Sequence, residues 1–428
     1  MKLAGRVAAA IEILTEITTR HRPAAEALKD WGKAHRFAGS TDRHVLGTLV
    51  YDTLRRKMSA AALLGKDDPR SLVLGTLANV WAMPISEIAS MCEEQFGPGA
   101  LTAKEKTALE KPLATNLSPY ILGDFPKWLE ADLINAYDEK VTAQLAALAQ
   151  RAPIDMRVNT LKAAREDVLA TFAKFNAVAT ALSPWGLRIP APTIESRNVN
   201  VEAETAHGLG QFEVQDEASQ IATALTGAKP GETVLDLCAG AGGKSLALAA
   251  MLKNQGRVVA YDQDKHRLRP IFERITRAGA TCIEVVAADE KEKRKLPGGY
   301  DLVVVDAPCT GSGTWRRKPD AKWRVAEKQL NIRLKEQADI LENAKHFVKR
   351  GGRLAYFTCS ILPQENQEQV TEFLKANSDF KIIPYTEQWK KNISATPVKS
   401  ANGSAETLQL TPLDHDTDGF FASVMIRS

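Results

Sequence analysis

Val234-Leu-Asp-Leu-Cys-Ala-Gly240-Ala-Gly242-Gly243-Lys-Ser245 decides the fold of this chain. An apolar run of strand length enters a glycine-rich turn, and helical sequence resumes near Lys244. Glycines let the backbone take positive φ and approach a ligand closely. The helix that follows offers unpaired N–H groups and the positive end of its dipole to the same turn.

Three ligands compete for such a loop. A nucleoside triphosphate loop needs glycine five residues before Gly243, and Cys238 stands there. A dinucleotide fingerprint needs glycine or alanine at position 245, which is Ser245. S-adenosylmethionine accounts for what is left: Asp236 at the strand end, the open glycine spacing, and an acid closing the next strand. That acid is Asp262 in Val258-Val-Ala-Tyr-Asp262, 22 residues after Gly240, placed to accept both ribose hydroxyls. Asp289, ending Val285-Val-Ala-Ala-Asp289, is placed to meet the adenine amino group. Cys238, Ala239, Gly240, Gly242, Gly243 and Lys244 are expected to line the cofactor. The bland alternative is a strand-to-helix turn that binds nothing. Three successive strands each ending in aspartate argue against it, because open α/β sheets bind ligands at such ends.

Further short β-rich runs are Ile283–Val286, Leu302–Val305 and Leu354–Phe357, with helical stretches between most of them. This alternation predicts a doubly wound, Rossmann-like parallel sheet over 226–428. Its last strand, Phe420–Met425, follows a turn at Asp418-Gly419 instead of a crossover helix. Lys291-Glu-Lys-Arg-Lys295 mixes charges and reads as a solvated turn. Upstream, Ile154–Asn159 and Gly186–Pro190 alternate like strands, giving a small α/β module over 146–225. Residues 1–145 carry apolar residues at helical spacing and are expected to be all helical.

The chain has 428 residues, 44% of them hydrophobic, and a formal net charge of +4. Its length calls for two or three domains, and a charge so mild does not by itself establish a polyanionic partner. The cysteines Cys92, Cys238, Cys282, Cys309 and Cys359 form no CxxC or CxH cluster, so no metal site is expected. Scattered thiols suit a reducing cytosol. Glu12, Glu16 and Arg20 interrupt the N-terminal apolar run at helical spacing, which favours an amphipathic helix over a signal peptide. With no membrane-length apolar run, a cytoplasmic location is expected; a monomer is expected as well.

Two further strand ends carry chemistry. Leu302-Val-Val-Val-Asp306-Ala-Pro-Cys309 and Leu354-Ala-Tyr-Phe-Thr-Cys359-Ser each deliver a thiol beside the cofactor crevice. Carbon 5 of cytosine is a poor nucleophile. A thiolate added to carbon 6 turns the ring into an enamine-like carbanion that attacks an electrophilic methyl group, and the thiolate is later expelled. Cysteine suits both steps. An acid near N3, Asp306 here, offsets the charge that develops. Either cysteine alone reads as a small buried hydrophobe; the chemistry does not choose between them. Cys238 reads as packing or cofactor lining, and Cys92 and Cys282 as structural.

Asp306-Ala-Pro-Cys309-Thr-Gly-Ser-Gly313 with Thr358-Cys359-Ser360 resembles the RNA 5-methylcytosine methyltransferase family, which includes the RsmB and NSUN proteins. Gln215-Asp-Glu-Ala-Ser219, Arg316–Asp320, Pro363-Gln-Glu-Asn366 and Thr417-Asp-Gly-Phe-Phe421 extend the likeness from about 150 to 428. The resemblance implies that Cys359 is the nucleophile and that Cys309 helps resolve the covalent intermediate. It also implies that Lys244, Asp262, Arg267, Asp289 and Asp306 serve the cofactor and the reaction. Asp42-Arg43 and Val50–Arg55 resemble, more loosely, the NusB-like helical domain that precedes the catalytic part in RsmB-type proteins. Residues 150–225 look like the family's RNA-binding module. A small-subunit 16S ribosomal RNA substrate follows from the resemblance of the N-terminal helical domain. A tRNA enzyme and a non-catalytic assembly factor are the alternatives.

Trp315-Arg-Arg-Lys318 and Lys322-Trp323-Arg324 interleave cations and indoles just after the catalytic loop. Arg316, Arg317, Lys318, Lys322 and Arg324 are expected to bind RNA phosphates while indoles stack on unpaired bases. Trp315 stands where the family carries a smaller aliphatic residue, so it is read either as a base-stacking or as a packing tryptophan.

Overall fold

Apolar residues at helical spacing govern the N-terminal part of the chain. In the helix Leu3–Arg20, Val7, Ala10, Ile13, Leu14 and Ile17 are buried on one stripe. Leu46, Leu49, Val50 and Leu54 of the helix Ser40–Arg55 meet that stripe, as do Val73, Leu74 and Leu77 of Pro69–Asn79. The structure is a computed structural model that describes residues 1–428 apart from 195, 197, 198 and 290–295. The expected charge run Lys291–Lys295 therefore lies outside the described residues.

The chain gathers into two units. The first comprises Met1–Arg151 with Pro192–Asn198 and Thr314–Ala326. The second comprises Ala152–Ala191, Val199–Gly313 and Glu327–Ser428. The segment just after the Pro308-Cys309 loop thus belongs with the N-terminal helices.

In the second unit, β1 (Ile154–Val158), β2 (Val178–Ala179), β3 (Gly186–Ile189) and β4 (Phe212–Val214) form an antiparallel sheet of order β2-β3-β1-β4. The β1 and β3 strands are those the sequence pattern predicts. The larger sheet is built around β5 (Thr233–Asp236), which runs parallel to β6 (Arg257–Ala260) on one side and to β8 (Tyr300–Asp306) on the other. β7 (Ile283–Val285) pairs parallel with β6, and β9 (Val348–Thr358) pairs parallel with β8. β12 (Phe420–Arg427) lies antiparallel between β9 and β10 (Phe380–Ile383). Seven strands thus run in the order β10-β12-β9-β8-β5-β6-β7, and a short eighth, β11 (Leu408–Leu410), pairs with β12.

Both faces of this sheet are covered, so its central strands are apolar throughout. Val234, Val258, Leu302 and Val304 pack on one side; Leu235, Val259, Val303 and Val305 pack on the other. The chain winds outward from β5 to β7, then returns to β8 on the opposite side. The carboxyl ends of β5, β6, β8 and β9 therefore share one edge, at the switch point where such sheets bind ligands.

Candidate active site

The glycine loop leaves β5 and enters the helix Gly243–Met251. Gly242 has φ 84°, and a Cβ there would lie 2.4 Å from Ile271 Cγ1. Its missing side chain thus also serves the close packing of the helix Ile271–Ala278. Gly240 N–H donates to Asp262 Oδ2 at 2.9 Å, and Asp264 N–H donates to Oδ1 at 2.8 Å. Arg267 stands 3.8 Å from the same carboxylate. The loop carbonyls are held as well: Arg274 donates to Ala241 O at 2.8 Å, and Arg157 of β1 donates to Gly243 O at 3.4 Å. Burial pushes Arg157 down to about 10. Burial likewise raises Asp236 to about 6, although Ser245 Oγ donates to it at 2.6 Å.

A cleft of about 960 Å³ opens at these strand ends, and Cys238, Asp262 and Arg267 line it with Leu237 and Tyr261. Asp289 is exposed, while its neighbour Ala288 lines the cleft. The far wall is the helix Glu327–Ala344, which presents Arg333, Glu336, Ile340 and Asn343. The sequence reading does not single out this wall; its signal is polar residues three and four apart on one helix face.

Asp306 faces Phe357 in the register of β8 and β9, so the two cysteine loops emerge side by side. Cys309 Sγ and Cys359 Sγ lie 3.3 Å apart. The hydrogen bond with Cys359 and then burial raise the Cys309 thiol well above the usual range. Asp306 Oδ2 accepts from Lys244 Nζ at 2.7 Å, and that ammonium stands 4.9 Å from the ring centre of Phe420. Gly313 N–H donates to Cys359 O at 3.0 Å. A Cβ on Gly313 would lie 1.8 Å from Gly419 O, so two bare backbones pass in contact behind the Cys359 loop. Among the described residues no cluster of three or more metal-ligating side chains occurs, and no helix is long and apolar enough to cross a membrane.

A family model described as "16S rRNA methyltransferase RsmB/F" matches residues 222–426. A second, for the ferredoxin-like domain of RsmF/B-like methyltransferases, matches 125–194. Ribosomal RNA small subunit methyltransferase B of Shewanella oneidensis is 31% identical over 351 residues, 80% of this chain and 77% of that protein. This chain belongs to the RsmB/F family. The Synechocystis relative, named "Probable ribosomal RNA small subunit methyltransferase B", is 31% identical over 69% of this chain, and the match spans 65% of that relative's length. The crystal structure of PH0851 superposes with a TM-score of 0.73 at 26% identity, covering 100% of both chains.

In this RsmB/F chain the basic segment after Gly313 is divided. Trp315 and Arg316 are 1% and 3% exposed, so the indole is a packing residue and not a base-stacking one. Lys322 is 2% exposed, and its ammonium donates to Arg55 O at 3.0 Å. The structure thus places Arg316 and Lys322 in the interior, with Arg317 half-buried and Lys318 and Arg324 on the surface. Interleaved basic and aromatic residues looked the same in sequence whether they faced solvent or plugged a helix end.

Proposed function

We propose that this chain methylates carbon 5 of a cytosine in small-subunit 16S ribosomal RNA, with Cys359 bonding transiently to carbon 6. The observation that carries this reading is the contact between Cys309 and Cys359 beside Asp306, on adjacent strand ends at the edge of a nucleoside-sized cleft.

The cleft suits S-adenosylmethionine. Asp262 is an acid for the ribose hydroxyls, with its orientation fixed by the N–H groups of Gly240 and Asp264. Leu237, Tyr261 and Ile340 offer apolar surface to a purine. When bound, S-adenosylmethionine supplies an electrophilic methyl group on sulfur.

Cys359 adds through sulfur to carbon 6 of the base, which makes carbon 5 nucleophilic. Asp306, oriented by Lys244, presents its carboxyl to N3, where a shared proton offsets the charge entering the ring. After methylation a water molecule takes up the carbon-5 proton, the C5–H electron pair restores the carbon 5–carbon 6 double bond, and the Cys359–carbon 6 pair departs on sulfur as thiolate. Cys309, already in contact with Cys359, assists that release. A stacked base hides carbon 6, so the substrate cytosine is single-stranded or flipped out.

Labelled methyl transfer to 16S RNA, followed by bisulfite sequencing, tests the reading. Wild-type protein should mark a cytosine, and Cys359→Ala should lose about 10³-fold or more of the rate while keeping donor affinity. A mark on transfer RNA alone would overturn the substrate, and no mark on any RNA would overturn the activity.

A further inference from the structure

Pro363-Gln-Glu-Asn366 enters the family likeness, yet the chemistry above gives it no task. Glu365 and Asn366 are both fully buried at the end of the turn Pro363–Glu365. The Glu365 carboxylate accepts from Thr310 N–H at 2.7 Å and from Thr310 Oγ1 at 2.6 Å. It also accepts from Gln337 Nε2 at 3.1 Å, and the same amide donates to Pro308 O at 2.9 Å. Glu365 therefore holds the residues on both sides of Cys309.

Asn366 does the same for the other thiol. Its Oδ1 accepts from Thr358 Oγ1 at 2.5 Å, and its Nδ2 donates to Ser360 O at 3.0 Å. Nδ2 also donates to Gln409 Oε1 at 2.8 Å, which ties the turn to β11. Two consecutive residues thus bracket two cysteines that are 50 positions apart in sequence.

The two arms of the bracket differ in charge. The arm beside Cys309 ends in a carboxylate, and the arm beside Cys359 in a neutral amide. We infer that Glu365 and Asn366 are positioning residues that hold the two thiols in contact and place a negative charge beside Cys309 alone, so that Cys309 keeps its proton and Cys359 attacks. This inference rests on the proposed function for the meaning of the attack. The bracket itself rests on the hydrogen bonds.

The titratable groups around Cys309 are Cys359 just past the end of β9, Tyr356 on β9 and Glu365 in the turn. Glu365 acts on the Cys309 thiol in the same upward direction as the hydrogen bond and burial do. Tyr356 is itself held neutral, its hydroxyl buried and donating to Glu365 O at 2.7 Å. A thiolate at Cys309, which is half-buried, would thus form beside a fully buried carboxylate that disfavours it.

Alkylation of the full-length protein by iodoacetamide, with each cysteine followed by peptide mass spectrometry, tests the bracket. It needs neither RNA nor methyl donor. In wild-type protein Cys359 should react faster than Cys309, with the Cys309 profile displaced to higher pH. Glu365→Gln removes the charge and keeps the shape. It should speed Cys309 alkylation about tenfold at pH 8, the effect of one pKa unit on the thiolate fraction.

Unchanged relative rates in a Glu365→Gln protein that melts like wild type would overturn the inference. Should that variant fail to fold, identical pH profiles for the two wild-type cysteines would overturn it equally. Loss of methyl transfer by wild-type protein would instead count against the proposed function, so the two failures are separable.

Discussion

Two buried lysines, Lys244 and Lys322, have nearly the same surroundings and opposite uses. Each is less than a tenth exposed, and each ammonium stands 4.9 Å from an aromatic ring centre. Lys244 donates to a carboxylate, Asp306, which remains partly open to solvent at the strand-end edge. Lys322 donates to the carbonyl of Arg55 at the end of the helix Ser40–Arg55. Asp124 attracts it from further away while Arg55 and Arg56 repel it, and burial drives it down to about 7. In the proposed reaction one lysine orients an acid; the other closes a helix terminus whose last carbonyls need donors.

The largest effect that would break this contrast concerns Lys244. Lys244→Met keeps the volume and removes the partner of Asp306. Methyl-transfer kcat/KM should fall about 10³-fold while the melting temperature stays within a few degrees. A variant of normal activity would mean that Asp306 needs no orienting cation. A variant that is largely unfolded would put Lys244 in the same structural role as Lys322.

The next effect concerns pH. The folded Lys322 amine titrates near 7, whereas a lysine in the unfolded chain titrates near about 10.4. Between those values the unfolded state binds more protons, so stability rises with pH across that window. The N-terminal helices should gain about 2 kcal/mol between pH 7 and pH 9 from this group alone. Lys322→Met should lack that gain when denaturant unfolding of the full chain is followed at both pH values. The same rise in both proteins would assign it to other groups.

The contrast also explains what the sequence could and could not reveal. Lys244, Asp262, Asp306, Cys309 and Cys359 were legible because strand alternation and glycine spacing fix where they emerge. A residue at the carboxyl end of a parallel strand has only one edge to face. The placement of Lys322 was not legible, because no local pattern separates a basic loop in water from one whose indole and ammonium cap a distant helix. The same holds for Glu365 and Gln337, whose partners lie 55 and 29 positions away. The short strands β2, β4, β10 and β11 escaped notice for a related reason. Each has four residues or fewer, and its identity comes from a neighbour supplied by another part of the chain.

The smallest effect isolates the cap itself. Trp323 Nε1–H donates to Leu54 O at 2.6 Å, beside the carbonyl that Lys322 occupies. Trp323→Phe keeps an aromatic face for Lys57 and Lys322 but removes the donor. The lost hydrogen bond should cost the helical unit about 1 kcal/mol, read from its unfolding midpoint. If the loss is nil, water replaces the indole at Leu54 O, and the segment is held by Lys322 alone. A loss far above this would mean that packing of the larger indole, not the hydrogen bond, anchors the segment. In either case Trp323→Phe should leave the pH-dependent gain from Lys322 in place, which separates the non-titrating donor of the cap from its titrating one.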